Sequence, residues 1–152
     1  MPKKEETRMA RFKDEAFVMN AFAPHLQPGE RVIYYAYGVK QPNILLIILL
    51  LGGLLTALLT KQYMVGLTDR GRFLVLRFSG NLKVKEVLEY HIGNVQGAKG
   101  KTGPIFTYIT IKDPQKPFTA KFHRLGMKQN RPHAMAIAQS LETRQIAALP
   151  AA

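Results

Sequence analysis

The sequence predicts a mainly β, α+β fold: a small antiparallel barrel or sandwich closed by a C-terminal helix. An amphipathic helix precedes it, and an apolar insert follows its first strand. Three observations predict this. Short segments between Arg31 and His123 alternate apolar and polar side chains at the period of two that belongs to strands. Turn chemistry separates them, as in Thr68-Asp69-Arg70-Gly71 and Asp113-Pro114-Gln115-Lys116-Pro117. The last apolar-periodic segment, 130–141, has helical spacing instead.

Arg8–Ala23 is expected to be a helix. Phe12, Ala16, Met19 and Ala23 fall at i, i+4, i+7 and i+11, and Phe17, Ala21 and Phe22 widen the stripe. Such a helix would lie on a membrane or join chains. Pro24 and then Pro28-Gly29 stop it. Arg31–Tyr37, dense in β-branched and aromatic residues, is the first strand. Residues 63–80 read as a hairpin turning at Thr68–Gly71, where Gly71 can take a positive φ. In its second arm Leu74, Leu76 and Phe78 share one face, and Phe73, Val75 and Arg77 the other. Lys83–His91 is a further strand, and Gly93, Gly97, Gly100 and Gly103 predict a long loop. Ile105, Thr107, Ile109 and Ile111 then alternate with Phe106, Tyr108, Thr110 and Lys112. Phe118, Ala120 and Phe122 alternate with Thr119, Lys121 and His123, giving a second hairpin. Asn130 is expected to cap the closing helix, with Pro132 in its first turn and Ala134, Ile137, Ala138 and Leu141 as its stripe. The division is therefore an N-terminal helical segment 1–25, a main domain 26–146 containing the insert 43–60, and a flexible tail 147–152.

The balance of 22 Lys+Arg against 10 Asp+Glu leaves a net charge of +12 in 152 residues, which calls for an anionic partner. Cysteine is absent, which excludes disulfides, thiolate metal sites and a cysteine nucleophile. No apolar core follows the charged first fourteen residues, so no secretory signal is expected. From Lys99 to Lys128 there are seven cations, Lys99, Lys101, Lys112, Lys116, Lys121, Arg124 and Lys128, against Asp113 alone, a net of +6. These are the candidates for anionic lipid headgroups. Nucleic acid is the rival anion, with Phe106 and Tyr108 as stacking residues, and is the weaker expectation.

The insert carries the membrane candidates Ile44, Leu45, Leu46, Ile47, Ile48, Leu49, Leu50, Leu51, Gly52, Gly53, Leu54, Leu55, Leu58 and Leu59. Sixteen uncharged residues, 44–59, make a helix of about 24 Å, short for a hydrocarbon core of about 30 Å. If the flanking strands share one barrel, a single crossing would part them. Arg31 and Lys40 precede the run, and Lys61, Arg70 and Arg72 follow it, so the positive-inside rule shows no asymmetry. A hairpin bent at Gly52-Gly53 meets both constraints, with self-association covering the bend. The alternative is a soluble homo-oligomer with the run buried between subunits.

Catalytic signals are weak. Gly100-Lys101-Thr102 resembles the end of a phosphate-binding loop, but Val95 stands where its first glycine belongs and no helix follows. His25, His91, His123 and His133 lack metal-ligand spacing. Ser79 and Ser140 sit in no nucleophile-elbow frame. Neither an enzyme nor a cofactor is expected.

In chain order stand Leu26, Pro28, Gly29, Glu30 and Val32, then Thr68, Asp69 and Arg70, then Ile92 and Val95. On these the chain resembles the bacterial pleckstrin-homology (PH)-like domain family over roughly residues 26 to 145. The resemblance implies a seven-stranded bent antiparallel barrel closed by the C-terminal helix, membrane segments after the first strand, and in some cases ring-like oligomers. The basic loop that binds phosphoinositide in eukaryotic pleckstrin domains is replaced by the apolar insert, so no such site is carried over. The expectation is a non-enzymatic, homo-oligomeric scaffold or recruitment module, with an unidentified protein partner, on the cytoplasmic face of the inner membrane.

Overall fold

The computed structural model describes residues 7, 10–40, 60–125 and 127–150. Among the described residues seven strands lie between an N-terminal helical segment and a C-terminal helix. α1 is Glu15–Phe22; β1 is Val32–Lys40; β2, Lys61–Thr68; β3, Arg72–Phe78; β4, Val84–His91; β5, Ala98–Thr102; β6, Phe106–Ile111; β7, Phe118–His123; and α2, Asn130–Thr143. They form one antiparallel sheet in the order β4-β3-β2-β1-β7-β6-β5. Among the described residues no ladder joins β4 to β5, so the sheet is not a closed barrel. It does curl. The β6–β7 turn reaches β4, where the Tyr90 hydroxyl donates to the Lys116 carbonyl at 2.6 Å and Lys116 Nζ to the Glu89 carbonyl at 2.6 Å. Burial lifts the Tyr90 phenol to about 12, with Asp113 adding to the rise, so it stays a donor.

Both faces of β2 and β3 are buried, and Leu74, Leu76 and Phe78 share one of them as the alternation predicts. On one face Tyr63, Val65, Leu67, Phe73 and Val75 pack with Ile109, Ile111 and Phe122 under the Ile137 and Leu141 side of α2. On the other, Met64, Leu74, Leu76 and Phe78 are covered by Phe12, Val18 and Phe22. The expected helix 8–23 is interrupted at Asp14, whose extended backbone and carboxylate cap α1 through the Ala16 N–H at 3.0 Å. That break resets the helical phase. Val18 therefore turns inward with Phe22, and Ala16 and Ala23 face solvent. The large apolar side chains thus serve the chain's own core, which corrects the expectation that this stripe lies on a membrane or joins chains.

Two further expectations are corrected. The glycine-rich loop contains β5, because Gly100 lies against α2 so closely that a Cβ there would collide with the Ala138 methyl. Asn130 does not cap α2. Its buried side chain accepts from the Tyr37 N–H at 2.7 Å and donates to the carbonyls of Tyr37 at 3.0 Å and His123 at 2.8 Å. The recorded β1–β7 register is the single pair Val39↔Lys121, so this amide supplies partners that the ladder does not. His133 does the same one turn on, accepting the Tyr35 N–H on Nδ1 at 3.2 Å. At the chain's end Ala147 is held at both polar groups, by the Tyr34 hydroxyl at 2.7 Å and Ser140 Oγ at 2.9 Å.

The His133 contact makes stability pH-dependent. Burial holds this imidazole below its ordinary value of 6.5, and only the neutral ring can accept the Tyr35 N–H. The contribution is complete above pH 6.5 and is lost as pH falls through the lower folded-state value. Urea midpoints measured between pH 8 and pH 5 are expected to drop, and His133→Gln to flatten that part of the curve. An unchanged slope in His133→Gln would refute the assignment.

Candidate functional site

Two regions bear on function: the root of the apolar insert and the outer face of β5–β6–β7. The fourteen insertion residues between Ile44 and Leu59 lie outside the described residues. Their anchorage does not. β1 and β2 pair from Val32↔Thr68 to Lys40↔Lys61, so the chain leaves the sheet and rejoins it at neighbouring residues. Lys40 also lines a groove of 410 Å³ with Thr110, Lys112, Phe118 and Thr119, which sets the root beside the β6–β7 hairpin. Lys40, Lys61 and Lys112 are all exposed. Among the described residues no helix is long and apolar enough to cross a membrane.

The register sorts the seven basic candidates. Directly paired residues share a face, so Lys101, Tyr108 and Lys121 form one row across the outer face, and Lys99, Thr110 and Thr119 the next. Lys121 Nζ sits 4.5 Å above the Phe106 ring, which also meets His123 edge-on at 5.0 Å. Lys112 continues this face at the end of β6, and Arg124 and Lys128 follow β7. Lys116 is set apart from them. Its ammonium bonds the Glu89 carbonyl and lies 5.1 Å from the Tyr90 ring centroid, tying the turn to β4. It is part of the structural closure and does not belong to the shared basic face.

The residues that carry the family resemblance gather elsewhere, at the corner where β1 begins and β2 turns into β3. The Glu30 carboxylate, with no exposed side-chain surface, accepts from the Gln27 N–H at 2.9 Å, the Thr68 hydroxyl at 2.8 Å and Arg72. Arg72 also bonds Glu89 at 2.7 Å and the His25 carbonyl at 3.1 Å. Arg70 reaches back to Gln27 at 3.0 Å and the Pro28 carbonyl at 2.7 Å. Gly29 and Gly71 hold positive φ of 78° and 76° on either side of the joint. Burial pushes the Glu30 carboxyl up, but its three donors outweigh that and hold it below the usual carboxylate range. These bonds tie the segment before β1 to the β2–β3 turn and to β4, so the corner is a structural clasp. Ile92 and Val95 likewise belong to the core under α2.

Gly100-Lys101-Thr102 lies in strand β5, with the Gly100 N–H donated to Glu142, so it opens no helix and cradles no phosphate. Among the described residues no group of three or more His, Asp or Glu side chains could hold a metal ion. The return of both flanks of the insert to one sheet was expected, but the direct pairing of Lys40 with Lys61 and the row structure of the basic face were not. Lys40 and Lys61 are distant in the chain, and only the pairing of β1 with β2 unites them.

No protein-family model, no curated protein and no solved structure matches the chain.

Proposed function

We propose that the chain is a non-enzymatic, membrane-associated protein of PH-like architecture, a scaffold or recruitment module on the cytoplasmic face of the cell membrane. Residues 44–59 enter the bilayer, and lysines beside them meet anionic headgroups. The uncharged run 44–59 supports entry into the bilayer, and the Lys40↔Lys61 pair carries the re-entrant form of this reading. Adjacent strands lie about 5 Å apart, whereas a single crossing would separate its two ends by about 30 Å. A run rooted in this way would have to go in and come back, and Gly52-Gly53 is the bend we propose for it from the sequence. Backbone exposed at such a bend needs protein cover in hydrocarbon, which supports a homo-oligomer. The seven antiparallel strands and the helix across one face support the PH-like assignment.

The register also supplies the test. Replacing 41–60 by Asn-Gly would join Lys40 to Lys61 by a tight turn that antiparallel strands favour. The shortened protein is expected to leave the carbonate-resistant membrane fraction while keeping a cooperative urea unfolding transition. Retention in that fraction would refute insertion. A parent chain that is a monodisperse oligomer without detergent would instead favour burial of the run between subunits.

A further inference from the structure

We propose that the outer face of β5–β6–β7 lies flat on an anionic bilayer, with Ile105 and Leu125 entering the headgroup region as a second contact remote from the insert. This rests on the membrane reading above and adds to it an orientation and two anchoring residues.

Three observations converge on this face. The first is what covers the sheet. α2 fills the concave side and α1 the outer side of β2 and β3, and among the described residues no helix covers the outer side of β5–β7. The second is exposed apolar surface. Six large apolar side chains stand exposed among the described residues, and three of them, Ile105, Tyr108 and Leu125, belong to the β6–β7 hairpin and its immediate flank. Leu125 is 74% exposed and Ile105 47%. The Arg124 N–H donates to the Ile105 carbonyl at 3.0 Å, so the two segments end side by side. The third is charge. Lys99, Lys101 and Lys121 stand along the face, with Arg124 and Lys128 beside the apolar pair. The only acid from 97 to 129 is Asp113, at the opposite end of the hairpin, where its carboxylate accepts the Gln115 and Lys116 N–H groups.

Geometry then selects the orientation. The insert root lies by the groove formed by Lys40, Lys112 and Thr119, at the turn end of the hairpin. Ile105 and Leu125 lie at its other end, about 20 Å away at roughly 3.4 Å per residue of β6. A molecule standing end-on over its insert would hold Leu125 in water. One lying on its lysine rows brings both ends to the lipid. An anionic bilayer fits this face better than nucleic acid does. The Phe106 ring is occupied by Lys121 and His123, and the most exposed side chains, Leu125 and Ile105, are aliphatic and offer no stacking surface.

The chain has no cysteine, so single labels can be placed in the full-length protein. Leu125→Cys is labelled with a polarity-sensitive fluorophore, and Gln139→Cys, exposed on α2, serves as the control. Both are reconstituted into vesicles of phosphatidylcholine with phosphatidylserine, and into phosphatidylcholine alone. The expected result is a blue shift and several-fold lower iodide quenching at 125 than at 139 in the anionic vesicles only. The protection is lost in Lys99→Glu/Lys101→Glu/Lys121→Glu while the chain still floats with the vesicles. A chain that floats with equal quenching at 125 and 139 overturns this proposal and leaves the insertion reading standing. A chain that does not float overturns both. A salt-sensitive shift with single-stranded DNA, without protection of 125 on vesicles, assigns the face to nucleic acid and overturns it as well.

Discussion

Glu30→Ala is expected to lower the stability of the protein by about 3–5 kcal/mol, the range for removing one partner of a buried ion pair. The Glu30 side chain is wholly buried, and Arg72 beside it is 12% exposed. Truncation leaves the guanidinium with only the half-exposed Glu89 and a carbonyl, and strips the Gln27 N–H and the Thr68 hydroxyl of their acceptor. Glu30→Gln can keep an acceptor in place and is expected to cost less. Replacing Glu30 and Arg72 together by apolar residues is expected to be milder than Glu30→Ala, because the guanidinium is then not stranded. The pH dependence has a definite sign. The folded carboxyl lies below 4.5, so its contribution is complete above that value and is lost as pH falls through the folded-state value. Urea unfolding followed by tyrosine fluorescence and circular dichroism measures all three variants, and a cost under about 1 kcal/mol for Glu30→Ala would remove the clasp from the argument.

That clasp also marks the limit of what the sequence showed. Pro28-Gly29-Glu30 and Thr68-Asp69-Arg70 were legible as motifs, and through them the family resemblance. Their purpose was not, because Glu30 and Thr68 meet only through the β1–β2 pairing. The β6–β7 hairpin was legible residue by residue, since one face is buried and the other wet. β5 was illegible for the converse reason. Its partly buried positions are Ala98 and Gly100, kept small by α2, so no apolar alternation is written there. The seven cations looked like one group by proximity in the chain. The register separates Lys116, held by β4, from the rows of Lys99, Lys101 and Lys121. The α1 stripe was misphased because Asp14 looks like one polar residue on a helix surface until its cap is seen.

Asn130→Ala is expected to cost about 2–4 kcal/mol, from two or three buried polar groups left at about 1–3 kcal/mol each. Asn130 has no exposed surface, and its amide bridges β1 and β7 near their single recorded register pair. The choice of replacement separates a bridge from a helix cap. Asp and Ser are as good as Asn at capping a helix, so a cap would tolerate Asn130→Asp. A bridge would not. Aspartate can accept the Tyr37 N–H but cannot donate to the Tyr37 and His123 carbonyls, and it would bury a charge against both oxygens. Asn130→Asp is therefore expected to be at least as destabilising as Asn130→Ala at pH 7, and to recover partly in acid as the carboxyl protonates and regains a donor. Hydrogen exchange at the Tyr37 amide reports the same joint directly. Its protection should fall by more than the loss in global stability in both variants, whereas that of Val65, inside the β2–β3 ladder, should fall only with global stability. Equal protection losses at Tyr37 and Val65, together with a benign Asn130→Asp, would reduce Asn130 to a cap and leave the β1–β7 seam without its bridge.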